Sequence, residues 1–197
     1  MRVVAGSAKG RRLKSPPNTD TRPVMDRVKT ALFDILTGDV VEARFLDLFA
    51  GTGSIGIEAL SRGATFATFV ELGPDTVRCV RENLAITGLA AQAEVLRADA
   101  FRFVEQAHAR GTRYDIVYVA PPQYQSMASR AIALLDASPL TESGGLVVAQ
   151  IHPREHGDLD ALALKTLEQY DERKYGSTLL RFYQHHVPDA AEDGDPE

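Results

Sequence analysis

The stretch Asp47-Leu-Phe49-Ala-Gly51-Thr-Gly53-Ser-Ile-Gly56 decides how the rest of the chain is read. It continues a run, ARFLDLF (43–49), with the apolar density of a buried strand. It leads into residues 53–62, where Ile55, Ala59 and Leu60 recur at helical spacing and Gly63 provides a stop. A strand, a Gly-x-Gly-x-x-Gly turn and a helix form the opening unit of an open α/β sheet. Without Cβ atoms, the backbone of such a turn can approach a ligand closely.

The alternation continues outward from there. TFATFVE (65–71), AEVLRAD (93–99), YDIVYVAPP (114–122) and SGGLVVAQIH (143–152) read as strands. GPDTVRCVRENLAITG (73–88, with Pro74 in its first turn), AFRFVEQAHAR (100–110) and QSMASRAIALLDAS (125–138) read as helices between them. ALKTLEQYDERKYG and STLLRFYQHH (163–186) read as two strands joined at Gly176. The pattern predicts an α/β fold with a mostly parallel sheet, helices on both faces and an antiparallel hairpin at one edge. Upstream, residues 2–5 and 12–15 suggest two short strands around a Gly6–Gly10 turn. The proline-rich SPPNTDTRP (15–23) follows, and then a helix over MDRVKTALFDIL (25–36).

The 197 residues divide into an N-terminal basic arm with its helix (1–38), a main domain (39–186) and an acidic tail (187–197). The net charge of −5 conceals an asymmetry. Residues 1–29 carry eight bases against two acids, whereas VPDAAEDGDPE at the C-terminus has five acids and no base. A basic arm on an acidic body suits a polyanion such as nucleic acid, and the tail has the composition of a disordered segment. No apolar run reaches membrane-spanning length, and no secretory leader is evident. The lone Cys79 fits a packing role in its helix, and the whole favours a cytoplasmic protein. His152 and His156 have a spacing found in metal sites, but Pro153 and Gly157 argue against a regular helix there. No metal is expected.

The glycine turn suits a nicotinamide dinucleotide or S-adenosylmethionine, and Glu71 at the next strand end suits a ribose in either case. Asp47 separates the two. A carboxylate beside a pyrophosphate costs on the order of 4 kcal/mol at ~4 Å and an effective dielectric near 20. The ammonium and sulfonium of S-adenosylmethionine would instead be attracted. Asp99 ends the third strand at the same sheet edge, where it could accept from an adenine amine, with Ala100 after it. Asp47, Phe49, Gly51, Gly53, Glu71, Asp99 and Ala100 are therefore the candidate cofactor residues.

Strand four ends in Ala120-Pro121-Pro122-Gln123-Tyr124. Methyltransferases acting on exocyclic amines of bases carry an Asp/Asn/Ser-Pro-Pro-aromatic motif at this point. From residue 1 to about 186 the chain resembles the bacterial small-subunit ribosomal RNA guanine-N2 methyltransferases (the RsmD family). The resemblance is carried by RVVAGSAKGRRLKSPPNTDTRPVMDRVKTALFDIL, FLDLFAGTGSIGIEALSRGA, VRENL and ERKYGSTLL. It implies a class I methyltransferase fold with a seven-stranded sheet. It also implies methyl transfer from S-adenosylmethionine to the N2 amine of a guanine in small-subunit ribosomal RNA. The catalytic segment would be Ala120, Pro121, Pro122, Gln123 and Tyr124. Arg2, Lys9, Arg11, Arg12 and Lys14 would grip RNA phosphates. Arg22 and Arg27, in the TRP…DR segment, would border the crevice as substrate-binding residues, Arg22 meeting either the methionine carboxylate or an RNA phosphate.

Two positions depart from the family pattern. Ala120 replaces the usual acid or amide, and Gln123 stands at the aromatic position, with Tyr124 one residue later. Either the Pro121 carbonyl and the Gln123 amide hold the target amine while Tyr124 stacks on the base, or the target has changed. Four readings follow: the guanine-N2 enzyme, a methyltransferase of another base or of DNA, a nicotinamide-dependent oxidoreductase, and a non-catalytic RNA-binding assembly factor. So small a basic arm favours a structured ribonucleoprotein substrate, an assembled or assembling subunit, and a monomeric enzyme.

Overall fold

The computed structural model describes residues 1–16, 25–123 and 126–186. Arg22, Tyr124 and the acidic tail lie outside these residues. The elements are α1 (Asp26–Ile35), β1 (Arg44–Asp47), α2 (Ser54–Ser61), β2 (Phe66–Glu71), α3 (Pro74–Thr87), β3 (Ala93–Arg97), α4 (Ala100–Ala109), β4 (Ile116–Val119), α5 (Met127–Ala137), β5 (Leu146–Ile151), α6 (His156–Asp160), β6 (Leu167–Tyr175) and β7 (Thr178–His185).

The strands form one seven-stranded sheet in the order β3-β2-β1-β4-β5-β7-β6. The first five pair in parallel, and β7 lies antiparallel between β5 and β6. The expected parallel sheet with an antiparallel hairpin is present. Gly176, with φ +61, makes the hairpin turn, which suits a residue without a Cβ.

Alternation along the strands divides the core into two layers. Phe45, Phe69, Tyr118 and Val148 face α1, α2 and α3. Leu46, Val70, Val117, Val147 and Tyr183 face α4, α5 and α6. Gly56 permits the close approach of α2 to β2: a Cβ there would lie 2.4 Å from the Phe69 ring. The third glycine of the motif is thus required by packing.

The N-terminal segment differs from the expectation of two strands. Only an isolated antiparallel bridge, Arg2 to Arg12, forms. The segment is held chiefly by side chains of the body. Glu58 on α2 is fully buried and accepts from the backbone N–H groups of Val4 (2.8 Å) and Ala5 (2.9 Å). It also pairs with Lys29 of α1 (3.3 Å) and with Arg62 (3.0 Å). Lys29 is equally buried and donates to the Arg2 carbonyl. Ser61 accepts from Ala8 N (2.9 Å) and donates to Ala5 O (2.6 Å). Val3, Ala8 and Leu13 point into the core.

The second departure lies at residues 152–160, where a 3-10 turn (Pro153–Glu155) runs into the short helix α6. His152 caps the turn by accepting from Arg154 N, so Pro153 is tolerated at the first position. His156 faces Asp160 (2.7 Å) and Glu172 (3.3 Å), the same two acids that hold the buried Arg181 of β7. Both histidines are thus engaged in the local fold. Among the described residues, no group of three or more His, Cys, Asp or Glu is arranged to hold a metal.

Glu58→Ala would leave Lys29 buried without its charged partner and remove the acceptor for two backbone donors. Its expected cost is about 3–5 kcal/mol of stability, read as a lower urea midpoint. A loss below ~1 kcal/mol would show that the segment is held by its apolar residues alone.

Candidate functional site

The sheet order reverses between β1 and β4: the chain runs from β1 out through β2 to β3, then returns to β4 on the other side. A crevice opens outside the carboxyl ends of the strands at such a switch point. Asp47 ends β1, Glu71 ends β2, Asp99 follows β3, and Ala120-Pro121-Pro122-Gln123 follows β4. All of these sequence-derived candidates fall on one edge of the sheet.

The loop after β1 owes its shape to its glycines and to Glu71. Gly51 and Gly53 have φ of +54 and +76, left-handed values that favour glycine. Glu71 Oε2 accepts from Gly51 N (3.0 Å), and Oε1 accepts from Leu72 N (2.9 Å) and Gly73 N (3.0 Å). One carboxylate therefore joins the loops after β1 and β2. It remains half-buried, with one lone pair of Oε2 available to a ligand hydroxyl.

Asp47 behaves differently. It is only 1% exposed, and its Oδ2 accepts from Gly56 N (3.1 Å). It lies beneath the loop instead of in the open crevice, so it acts on a cation there through its field. Burial pushes its pKa up to about 7; the Gly56 hydrogen bond opposes this, and the nearby Glu71 charge adds to it. A cationic ligand would favour its ionised form.

Asp99 caps α4, with Oδ1 accepting from Arg102 N (3.0 Å). Ala100 is buried as the first residue of that helix. Phe49 meets Phe101 edge-on at 6.1 Å, and the Arg130 guanidinium lies over the Phe101 ring at 4.2 Å. Beside this stack runs an open cleft of about 670 Å³, bounded by Asp99, Phe101, Arg102, Glu105, Met127 and Arg130. Arg130 and its cation–π contact were not foreseen; nothing in the sequence indicated that α5 crosses α4 at that residue.

In the segment after β4, Ala120 packs on the core, Pro121 is buried and Pro122 is exposed. Gln123 is half-buried, and its amide has no hydrogen-bond partner among the described residues. The buried Tyr118 donates its hydroxyl to Gln150 Oε1 (2.6 Å). Val119 pairs with Ala149, which puts Gln150 beside Ala120 in register and on the same sheet face. Both polar side chains were missed because their strands read as uniformly apolar.

Of the expected RNA-contacting residues, Arg2 is paired with Asp26 (2.9 Å) and Lys14 with Glu82 (2.8 Å). Lys9, Arg11, Arg12 and Arg27 are exposed and make no ion pair among the described residues. Cys79 is buried in α3, as its packing role requires, and donates to Lys14 O (3.4 Å).

Asp47 has a pH signature. The unfolded chain titrates an aspartate near 3.9. The folded state binds this proton more tightly, so the stability the group contributes is full below that value and is lost as pH rises to about 7. In urea titrations of both proteins, stability relative to Asp47→Asn is expected to fall between about pH 4 and about pH 7 and to level off above. Parallel curves would refute the raised pKa.

Comparison with known proteins agrees with this geometry. The family model described as "Conserved hypothetical protein 95" matches residues 1–184. YlbH of Bacillus subtilis (strain 168), given as a candidate rRNA methyltransferase, is 39% identical over 155 residues, covering 79% of this chain and 84% of its own. "Ribosomal RNA small subunit methyltransferase D" of Escherichia coli (strain K12) is 38% identical over 136 residues, covering 69% of this chain and 67% of its own. The solved structure of yhhF from Escherichia coli, given as a candidate methyltransferase, is 31% identical. It superposes with a TM-score of 0.80 over 95% of this chain and 98% of its own. Because the family model matches residues 1–184, the chain belongs to the conserved hypothetical protein 95 family, and it shares the fold of its methyltransferase relatives.

Proposed function

We propose that the protein transfers a methyl group from S-adenosylmethionine to the exocyclic N2 of a guanine in small-subunit ribosomal RNA. The observation that carries this reading is that Glu71 and Asp99 stand at one crevice, with Asp47 buried beneath its glycine loop, opposite the Pro121-Pro122 segment across the switch between β1 and β4. Two carboxylates near the glycine loop oppose a pyrophosphate and favour a cation. This argues against the nicotinamide alternative, and the names of the relatives agree.

Glu71 would accept from a ribose hydroxyl with the one Oε2 lone pair its backbone donors leave free. Gly51 and Gly53 would let the ligand approach the loop, and the ionised Asp47 would attract its positive end. Asp99, Ala100 and the Phe49–Phe101 pair would border the adenine. S-adenosylmethionine supplies a methyl carbon made electrophilic by its sulfonium. The protein's task is to align a weakly nucleophilic amine with that carbon. The Pro121 carbonyl, the Gln123 amide and the Gln150 amide are the polar groups available where Ala120 provides none. As the N–C bond forms and the S–C bond breaks, the amine proton passes to water. Replacing a charged acceptor by these neutral groups costs on the order of 1.5–3 kcal/mol, which slows the reaction without abolishing it.

Lys9, Arg11 and Arg12 are exposed and have no acidic partner among the described residues, which suits contact with RNA phosphates; Arg2 and Lys14 already have acids to neutralise. Arg27, exposed at the start of α1, is read as a further substrate contact; Arg22 lies outside the described residues. The substrate is read as a ribonucleoprotein, an assembled or assembling small subunit in the cytoplasm, approached by a monomer.

The deciding experiment incubates small subunits from a strain lacking the gene with the protein and methyl-labelled S-adenosylmethionine, then identifies the labelled nucleoside by mass spectrometry. N2-methylguanosine is expected. Label in another nucleoside would reassign the target to the changes at Ala120 and Gln123, and no label with intact cofactor binding would favour a non-catalytic RNA-binding role. Glu71→Ala should weaken S-adenosylmethionine binding by about ten- to a hundredfold in calorimetry. Replacing Lys9, Arg11 and Arg12 by Ala should reduce the salt dependence of RNA binding by about two to three units of log K against log salt; an unchanged slope would remove these residues from the interface.

A further inference from the structure

Asn83 of α3 is fully buried, and both of its amide protons and its amide oxygen are engaged. Nδ2 donates to the carbonyls of Thr52 (2.9 Å) and Lys14 (3.1 Å), and Oδ1 accepts from Lys14 N (2.8 Å). Thr52 stands between Gly51 and Gly53, both at positive φ. The Thr52–Gly53 peptide is therefore held on both sides: Asn83 takes its carbonyl, and Ala50 O accepts its N–H at 2.7 Å. On its Gly53 side this peptide plane meets little steric resistance to rotation, so its orientation leans on these two partners.

The other end of the same amide grips the backbone of Lys14, next to Leu13, which is buried in the core. Asn83 thus spans the N-terminal basic segment and the glycine loop. Ser61 is a natural comparison. It anchors the same segment through Ala5 and Ala8, yet has no hydrogen bond to the loop.

We propose that Asn83 is a positioning residue that fixes the Thr52–Gly53 peptide for the cofactor and makes the shape of the loop depend on the seating of the basic segment at Lys14. The proposal rests on the assignment of the glycine loop to S-adenosylmethionine.

The test compares Asn83→Ala, Ser61→Ala and Glu71→Ala in calorimetry with S-adenosylmethionine, in thermal unfolding, and in steady-state methylation of small subunits. Asn83→Ala is expected to raise Kd and KM for S-adenosylmethionine by about tenfold. Its kcat at saturating cofactor should stay within about twofold of the wild-type value, because the loss falls on binding. Ser61→Ala is expected to lower the unfolding temperature and leave Kd and KM unchanged. Should Asn83→Ala fail to fold, Asn83→Asp takes its place; it keeps the shape and the acceptor for Lys14 but loses the donor to Thr52. A wild-type Kd in the Asn83 variant, or an equal rise in Ser61→Ala, overturns the proposal. If Glu71→Ala also binds normally, the loop assignment falls with it; if Glu71→Ala alone is impaired, only the role of Asn83 is lost.

Discussion

The fold depends on one buried carboxylate with four partners. Glu58 receives two backbone N–H groups from the N-terminal segment, the ammonium of Lys29 and the guanidinium of Arg62, all without solvent access to its own oxygens. Such a charge is tolerable in the interior only when its lone pairs are fully engaged. Its partners come from three places: the segment before α1, α1 itself and the end of α2. One side chain therefore fastens the N-terminal residues to the helix that carries the glycine loop. Lys29, counted by sequence among the charges of a basic arm, is in fact part of the core.

A second set of buried or half-buried polar groups shapes the loop itself. Glu71 holds Gly51 from the side of β2, Asp47 holds Gly56 from beneath, and Asn83 holds Thr52 from α3. The two acids are near each other but differ in environment. Asp47 is almost wholly desolvated and has its pKa displaced upward, whereas Glu71 is half-exposed with three backbone donors. The pair gives the crevice a negative field that strengthens when a cation enters, since the cation favours ionisation of Asp47.

At the far side of the crevice, Ala120 offers no side-chain acceptor at the position directly after β4. The strand next to it supplies Gln150, oriented by the hydroxyl of Tyr118. Tyr118 lies in register with Asp47, and its own pKa is raised by burial and then by that acid, so the phenol stays protonated and acts as a donor. The polar groups of this edge are therefore fixed by strand pairing, with side chains from β1, β4 and β5 standing shoulder to shoulder.

The sequence by itself determined the alternation of strands and helices, the antiparallel hairpin at Gly176, and the placement of Asp47, Glu71, Asp99 and the Pro121-Pro122 segment on one edge. These are local or periodic features: apolar runs, glycine and proline punctuation, and the rule that strand ends in an open α/β sheet converge. Only the tertiary structure decided which polar residues are buried and what they hold. Glu58, Lys29, Asn83 and Ser61 sit at unremarkable helical positions, and their partners in the N-terminal segment lie 27 to 69 residues away in sequence. The two N-terminal strands expected from local pattern reduced to a single bridge because side chains of α2 and α3 satisfy those backbone groups instead. Burial arises from packing between distant elements, and a periodic pattern does not encode the identity of the neighbour on the other side.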